Sequence, residues 1–380
     1  MILKRVTPEY VEQNRISAGQ RVLHLLHLDF SLLVSLLLLA IVGLTVLYSA
    51  SDQNMELVLK QALRILLGFI IMFTVAQLTP DTIKYWSPWL FGLGLLMLLL
   101  VFFFGEIGKG AQRWLNFGLF TFQPSELMKL AVPMLIAWYF ADSTLPPSPL
   151  RIIFACLLFF IPTLLVAIQP DLGTAVVLAA SGLFVLFLAG LRSRTIIFGF
   201  ILMLPAVWAM WHYGMHQYQR DRVEMFIHPE RDPLGAGYHI IQSTIAIGSG
   251  GVYGKGWLNG TQSHLDFLPE RRTDFIFAVF SEEFGFVGVL LLLALYGLVI
   301  GRGMVIATQA QSTFTRLLAG SLTLTFFVYV FINIGMVSGL LPVVGIPLPL
   351  VSYGGTSLVT IMAGFGVLMS IQTHRKLVST

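Results

Sequence analysis

The chain has little charge and almost no cysteine. Of its 380 residues, 11% are Asp, Glu, Lys or Arg, and there is one cysteine, Cys156. An intrachain disulfide is therefore excluded. Cys156 lies inside an apolar run, where a packed thiol is expected. No basic run is interleaved with aromatics, so a nucleic-acid partner is not expected. No HExxH or GxSxG occurs, which disfavours a metalloprotease or serine hydrolase of familiar design. The glycine-rich "GSGGVYGKG" (248–256) lacks the spacing of a phosphate-binding loop and follows no strand. His212 and His216 stand four apart but have no third metal ligand nearby in sequence.

Apolar residues are abundant instead, at 56% of the chain, with 30 Phe and 35 Gly. Apolar runs long enough to cross a bilayer recur along the whole length. An all-α polytopic membrane protein is expected. Spans are expected at 29–49, 57–78, 85–104, 125–141, 151–168, 172–189, 195–213, 275–300, 317–338 and 356–373, about ten. The first 27 residues form a basic arm, and 28–380 a single transmembrane domain. No cleavable signal is expected, because the first apolar stretch is too long and lacks a small-residue cleavage site. Basic residues in alternate loops predict that both termini are cytoplasmic. One large extracytoplasmic loop, 214–273, then joins spans seven and eight. Within it, "GYHIIQSTIAIGSGG" has the pattern of a half-buried helix ended by glycines.

Charges at membrane depth are costly, so each marks a candidate site. Lys60 and Arg64 begin span two. Glu126 and Lys129 begin span four, three residues apart on one helix face. Asp171 opens span six and Asp274 opens span eight. By the expected topology all six lie toward the outer leaflet, which a shared wet cavity would explain. Helix-start chemistry alone accounts for Glu126 and Asp171 but not for Lys129. Farther along span eight, Glu282 projects within about 80° of Asp274 on an ideal helix, and Glu283 nearly opposite. Glu282 is thus expected to face inward and Glu283 to pair with another helix. The segment 339–357 is too rich in proline and glycine to be one helix. Its Ser352, Tyr353 and following glycine amides are suited to hydrogen-bond a phosphate or sugar.

Ten motifs occur in order from about residue 25 onward: "KGAQRWL", "FQPSELMKLA", "QPDLGTA", "DPLGAGYHIIQS", "AIGSGG", "GKGW", "FLPERRTDFIFAV", the "EE" of span eight, "NIGMVSGLLPVVGIPLPLVSYGG" and a terminal "HRK". In these the chain resembles the SEDS proteins of shape, elongation, division and sporulation. The Ile346-Pro347 pair resembles the elongation branch more than the division branch. The resemblance implies a ten-span peptidoglycan glycosyltransferase that polymerises lipid II on the outer face of the bacterial inner membrane. It implies a class B penicillin-binding protein and other elongation-complex proteins as partners. The family's essential acid matches Asp274, and its cavity residues match Glu126, Lys129 and Asp171.

Joining an α-linked lipid diphosphate donor to an acceptor hydroxyl with inversion needs one base and cations for the leaving group. Asp274 is the candidate base. Arg64, Arg113, Lys129, Arg271 and Arg272 are the candidate cations, and Ser352 and Tyr353 candidate substrate contacts. No cofactor follows from the residues. A divalent cation (Mg or Mn) would be the other way to offset the diphosphate charge. Two other functions would also use such a chain. A lipid II flippase would need polar groups reachable from both sides, and a non-catalytic scaffold would not need Asp274 or Lys129.

Overall fold

The computed structural model describes residues 26–108, 111–116, 118, 121–191, 236–264 and 270–374, with scattered positions between 195 and 224. Eleven helices are labelled here. They are α1 (Phe30–Ala50), α2 (Met55–Ala76), α3 (Pro80–Phe104), α4 (Pro124–Phe140), α5 (Pro149–Ile168), α6 (Leu172–Leu188), α7 (Ala236–Ser249), the short α8 (Thr261–His264), α9 (Ile276–Thr308), α10 (Thr313–Val337) and α11 (Thr356–Thr373). A π-helical turn covers Met210–Gly214. Part of the expected seventh span, residues 1–25 of the basic arm and His216 lie outside the described residues.

Capping side chains set where the helices begin. Asp29, Asn54 and Asp171 accept the backbone N–H three residues on, at 2.9, 3.2 and 3.2 Å. Ser312 and Thr315 form a reciprocal capping box at the start of α10. Pro80, Pro124 and Pro149 occupy first turns, where a missing N–H costs nothing.

Among the described residues, seven helices are long and apolar enough to cross a membrane: α1, α2, α3, α5, α9, α10 and α11. Helix α6 is apolar but one turn shorter than most of these. Helix α4, at 17 residues, carries Glu126 and Lys129 and is almost wholly buried. Burial orders the bundle: 72% of the apolar window of α10 is inside, against 22% for α2, α3 and α5. So α10 is central, flanked by α9, α6 and α4, while α11 packs along α2. The chain is a multi-pass membrane protein.

Two features depart from the expected all-α picture. The segment between α3 and α4 forms a small antiparallel sheet in the order β1-β2-β3, with β1 Glu106–Gly108, β2 Ala111–Asn116 and β3 Thr121–Phe122. Its pattern was hidden by short strands between two long apolar runs. The other departure is a break in α9 at Gly285, whose φ of 64° and ψ of −166° are not helical.

The break explains the glycine-rich stretch 248–256. Lys255 and Gly256 donate their N–H groups to the carbonyls of Glu282 and Glu283, both at 3.0 Å. Phe286 and Val287 donate to the carbonyls of Gly251 and Val252 at 2.9 and 3.0 Å. The loop is thus stitched into the gap and satisfies backbone groups that the broken helix would leave unpaired. Glycines allow this approach: a Cβ on Gly254, at φ +79°, would collide with the Glu283 carbonyl. Gly254→Ala should therefore cost at least about 1–3 kcal/mol and lower the thermal midpoint of the detergent-solubilised protein. Gly297→Ala, where a Cβ meets nothing within 4 Å, should leave it unchanged. Equal midpoints for the two variants would dismiss the stitch as a structural requirement.

Depth within the bundle follows from α1 as a ruler of about 31 Å. Arg302 of α9 pairs with Asp29 at one end of α1, 2.6 Å between Nη2 and Oδ2. Glu283 accepts a hydrogen bond from Ser49 at the other end. The 339–357 segment passes below that second end, where Gly43 lets Leu350 and Val351 lie directly against the helix. Gly43 is about 10 Å short of the helix end.

Candidate active site

Asp274 sits on a turn, not in the helix that follows. Residues 270–275 form consecutive turns, and Phe275 caps α9. Three contacts fix the turn. Ser352 Oγ donates to the Thr273 carbonyl at 2.6 Å and accepts from the Leu348 N–H at 2.8 Å. The Tyr353 N–H donates to the Arg272 carbonyl at 2.9 Å. Asn333 of α10, fully buried, donates from Nδ2 to the carbonyls of Asp274 and Ile346 at 3.0 and 2.8 Å. Gln61 of α2 bonds the Ser352 carbonyl and the Gly354 N–H, both at 3.3 Å. Gln61 lies about 9 Å into α2. The Asp274 turn is therefore recessed, while Glu283 stands at the end of α1. The short arm 276–284 climbs between them before the chain turns at Gly285 and descends.

Cations surround this turn. Arg271, buried, ion-pairs with Asp52 in the α1–α2 turn, and Arg272 lies 3.6 Å from the same carboxylate. The Arg64 guanidinium lies over the Tyr353 ring, 4.5 Å from its centre, an arrangement that holds a cation without consuming its charge. Lys60 is tied to Glu56 on the exposed side of α2 at 2.5 Å.

A second polar cluster lies on the other side of residues 344–346. Lys129 and Glu126 are both buried and paired at 2.9 Å, with the ammonium 5.2 Å from the centre of the Tyr329 ring. The second Glu126 oxygen is buried without a hydrogen bond. Asp171 accepts from Gln123 at 3.0 Å and faces Arg113 Nη1 at 3.7 Å. Arg113, on β2, also donates to the carbonyls of Gln169 and Pro170. The sheet thereby locks onto the turn between α5 and α6. Gly173 abuts the Val344 carbonyl, and Gly345 abuts an Asp274 carboxylate oxygen. The two clusters are thus separated by little more than one extended stretch of backbone. One turn of α10 joins them, with Asn333 beside Asp274 and Tyr329 beside Lys129.

A narrow cavity of about 40 Å³ runs from Lys129 between α4, α10 and α11, past Thr325 and Tyr329 to Leu368. That is room for about three waters. Its walls are mostly apolar, and the buried Thr325 hydroxyl on its lining has no hydrogen bond to the protein.

The sequence expectations fare unevenly residue by residue. Glu126, Lys129, Asp171 and Arg113 gather on one side, and Asp274, Arg271, Arg64, Ser352 and Tyr353 on the other. Glu283 does pair with another helix, through Ser49. Glu282 does not share a face with Asp274. It turns to the loop, where it takes Lys255 Nζ at 2.7 Å. The ideal-helix projection fails because Asp274 precedes the helix. Asn333, Gln61, Gln123, Asp52 and Tyr329 were not anticipated as site residues. A buried amide inside an apolar span was a legible signal for Asn333. Nothing local marks the others.

This arrangement defines a class: a multi-pass membrane protein with an acid and several cations recessed among its helices. The comparisons narrow it. Residues 24–377 match the FtsW/RodA/SpoVE model, described as cell cycle proteins. The chain is 55% identical to the peptidoglycan glycosyltransferase MrdB of Escherichia coli strain K12, over 93% of this chain and 95% of that protein. It is 34% identical to stage V sporulation protein E of Bacillus subtilis, over 92% and 98%. Among solved structures, it resembles a chain of a peptidoglycan synthase complex that coordinates polymerization and crosslinking. That match has a TM-score of 0.80 and 34% identity, covering 92% of this chain and 98% of the other. It also resembles the rod shape determining protein RodA of Thermus thermophilus, with a TM-score of 0.69, 28% identity and coverage of 92% and 98%. The chain belongs to the FtsW/RodA/SpoVE family.

Proposed function

We propose that the chain is a peptidoglycan glycosyltransferase that polymerises lipid II during cell elongation. The observation that carries this reading is the recessed Asp274 turn, held by Ser352, Asn333 and the Tyr353 N–H beside several cations. Such a carboxylate is positioned as a base rather than spread over a solvated surface. In the reaction, Asp274 takes the proton of the acceptor 4-hydroxyl. The hydroxyl oxygen forms a bond to the donor anomeric carbon as the bond to the lipid diphosphate breaks. Configuration inverts, and undecaprenyl diphosphate leaves.

The leaving group's charge falls to Arg64, Lys129, Arg113 and Arg271. Glu126, Asp171 and Asp52 keep those cations oriented when substrate is absent. Ser352 and Tyr353 act mainly by holding the turn. Among the described residues, no three His, Cys, Asp or Glu side chains gather to hold a metal ion. A divalent cation (Mg or Mn) would be held by one or two carboxylates together with the substrate diphosphate and would offset the leaving group's charge.

Ten spans, cytoplasmic termini and an outer large loop complete the reading, with Asp274 opening toward the outer face of the inner membrane. A class B penicillin-binding protein is the partner that crosslinks the product, alongside other elongation-complex proteins. A flippase is the second reading, since a polar cavity among helices would also serve transport. Purified protein in vesicles, with its partner, separates the two. Glycan ladders on a gel are expected from externally added lipid II. Movement of fluorescent lipid II between leaflets without any ladder would overturn the polymerase reading.

A further inference from the structure

Glu282 is the most completely buried carboxylate with a built cradle outside the site already described. Its side chain is 0% exposed. One oxygen receives Lys255 Nζ at 2.7 Å, Thr261 Oγ1 at 3.1 Å and the Gln262 N–H at 3.0 Å, with Ser249 Oγ at 3.5 Å. Lys255 in turn holds Thr261 Oγ1 at 2.7 Å. Every donor comes from the stretch 249–262, and the acceptor comes from the arm 276–284. The cradle therefore ties the loop to the arm independently of the backbone stitch at Gly285.

The arm carries this tie to the reacting end. It is a single helical run of nine residues from Ile276 to Phe284, short enough to move as one body. Its lower end continues directly into the Asp274 turn. Its upper end is held by the Lys255 ion pair on one side and by Ser49 on the other. Ser352 and Asn333 fix the backbone of the turn at the arm's lower end. Residues 275–283 are all buried, so the arm passes a shift at its upper end to the turn as one packed body. The Lys255–Glu282 pair, together with the backbone stitch, sets where that end sits.

We propose that Lys255 and Glu282 are positioning residues for glycosyl transfer: by latching the loop to the arm, they set the placement of the Asp274 carboxylate. The proposal rests on Asp274 being the base. A misplacement on the order of 1 Å at a reacting group costs about a hundredfold in rate. A buried pair used only as a brace would change stability instead.

The test uses the complete complex with its penicillin-binding partner and lipid II, comparing Lys255→Met, Glu282→Gln, Lys255→Arg and Asp274→Asn. Rates are normalised to folded enzyme by gel filtration and thermal midpoint. Lys255→Met and Glu282→Gln are expected to lower kcat about ten- to a hundredfold with KM within about twofold of wild type. Lys255→Arg, which keeps the charge, is expected to recover most of the lost rate. The proposal fails if kcat per folded molecule stays within about twofold of wild type. It fails if Lys255→Arg is as slow as Lys255→Met, or if Lys255→Met and Glu282→Gln do not fold, because the pair is then a brace. An inactive Asp274→Asn beside a normal Lys255→Met would sink this proposal alone. An active Asp274→Asn would sink the base assignment and this proposal with it.

Discussion

Asp274→Asn, purified with its partner, should make no glycan ladder while still eluting as the intact complex. The substitution keeps the size of the side chain but removes its negative charge and its capacity to accept a proton. General-base assistance is worth about 10²–10⁴-fold, enough to abolish visible polymer at ordinary enzyme concentrations. Folding should survive, because the contacts that define the turn are made by backbone groups. Asn333 and Ser352 bind the carbonyls of residues 274 and 273, and these remain in the variant. Stability and complex formation should therefore match wild type while catalysis is lost. A ladder formed at the normal rate would move the base elsewhere. A variant that no longer folds would make Asp274 structural.

The second large effect is at Lys129. Both members of the Glu126–Lys129 pair are buried. Removing one partner leaves a charge in a low-dielectric interior, a penalty of about 3–5 kcal/mol. Lys129→Met should thus lower thermal stability sharply. Glu126→Gln combined with Lys129→Met should recover most of the loss, because replacing both charges removes the uncompensated one. Activity should not recover with stability if Lys129 meets the lipid diphosphate. The double variant is then a folded but poorly active enzyme, which separates the two roles of the ammonium. Full activity in the stable double variant would confine Lys129 to packing.

Much of this could be read in the sequence, and what could not has physical causes. Helices α5, α6 and α11 fall within about two residues of their expected limits, because long apolar runs ended by Pro, Asp or Gly are strong local signals. The Glu126–Lys129 pair follows from spacing alone. Glu282 was misplaced because its surroundings depend on a glycine break and on a loop more than twenty residues earlier in the chain. The glycines of 248–256 were visible, but their purpose was not. Composition announces that backbone will come close to something without saying to what. The depth of Asp274 is likewise a tertiary quantity, set by Gln61, Asn333 and Ser352 from three separate segments.

That last fact bears on how the protein is made. A ribosome delivers the spans to the membrane from the N-terminus onward, so Asp274 arrives before two of the elements that seat it. Asn333 follows 59 residues later, and Ser352 after that. A nascent chain halted after α9 holds the acid but not its socket. The proposed catalytic centre closes only when about the last fifth of the molecule has been inserted and folded back onto the earlier helices. Chains released early, or damaged near the C-terminus, are on this view incapable of polymerising anything. A protein cut after residue 338 and supplied with its missing part as a separate polypeptide should regain activity only when both fragments share a membrane. Activity in the larger fragment by itself would show that the socket is dispensable.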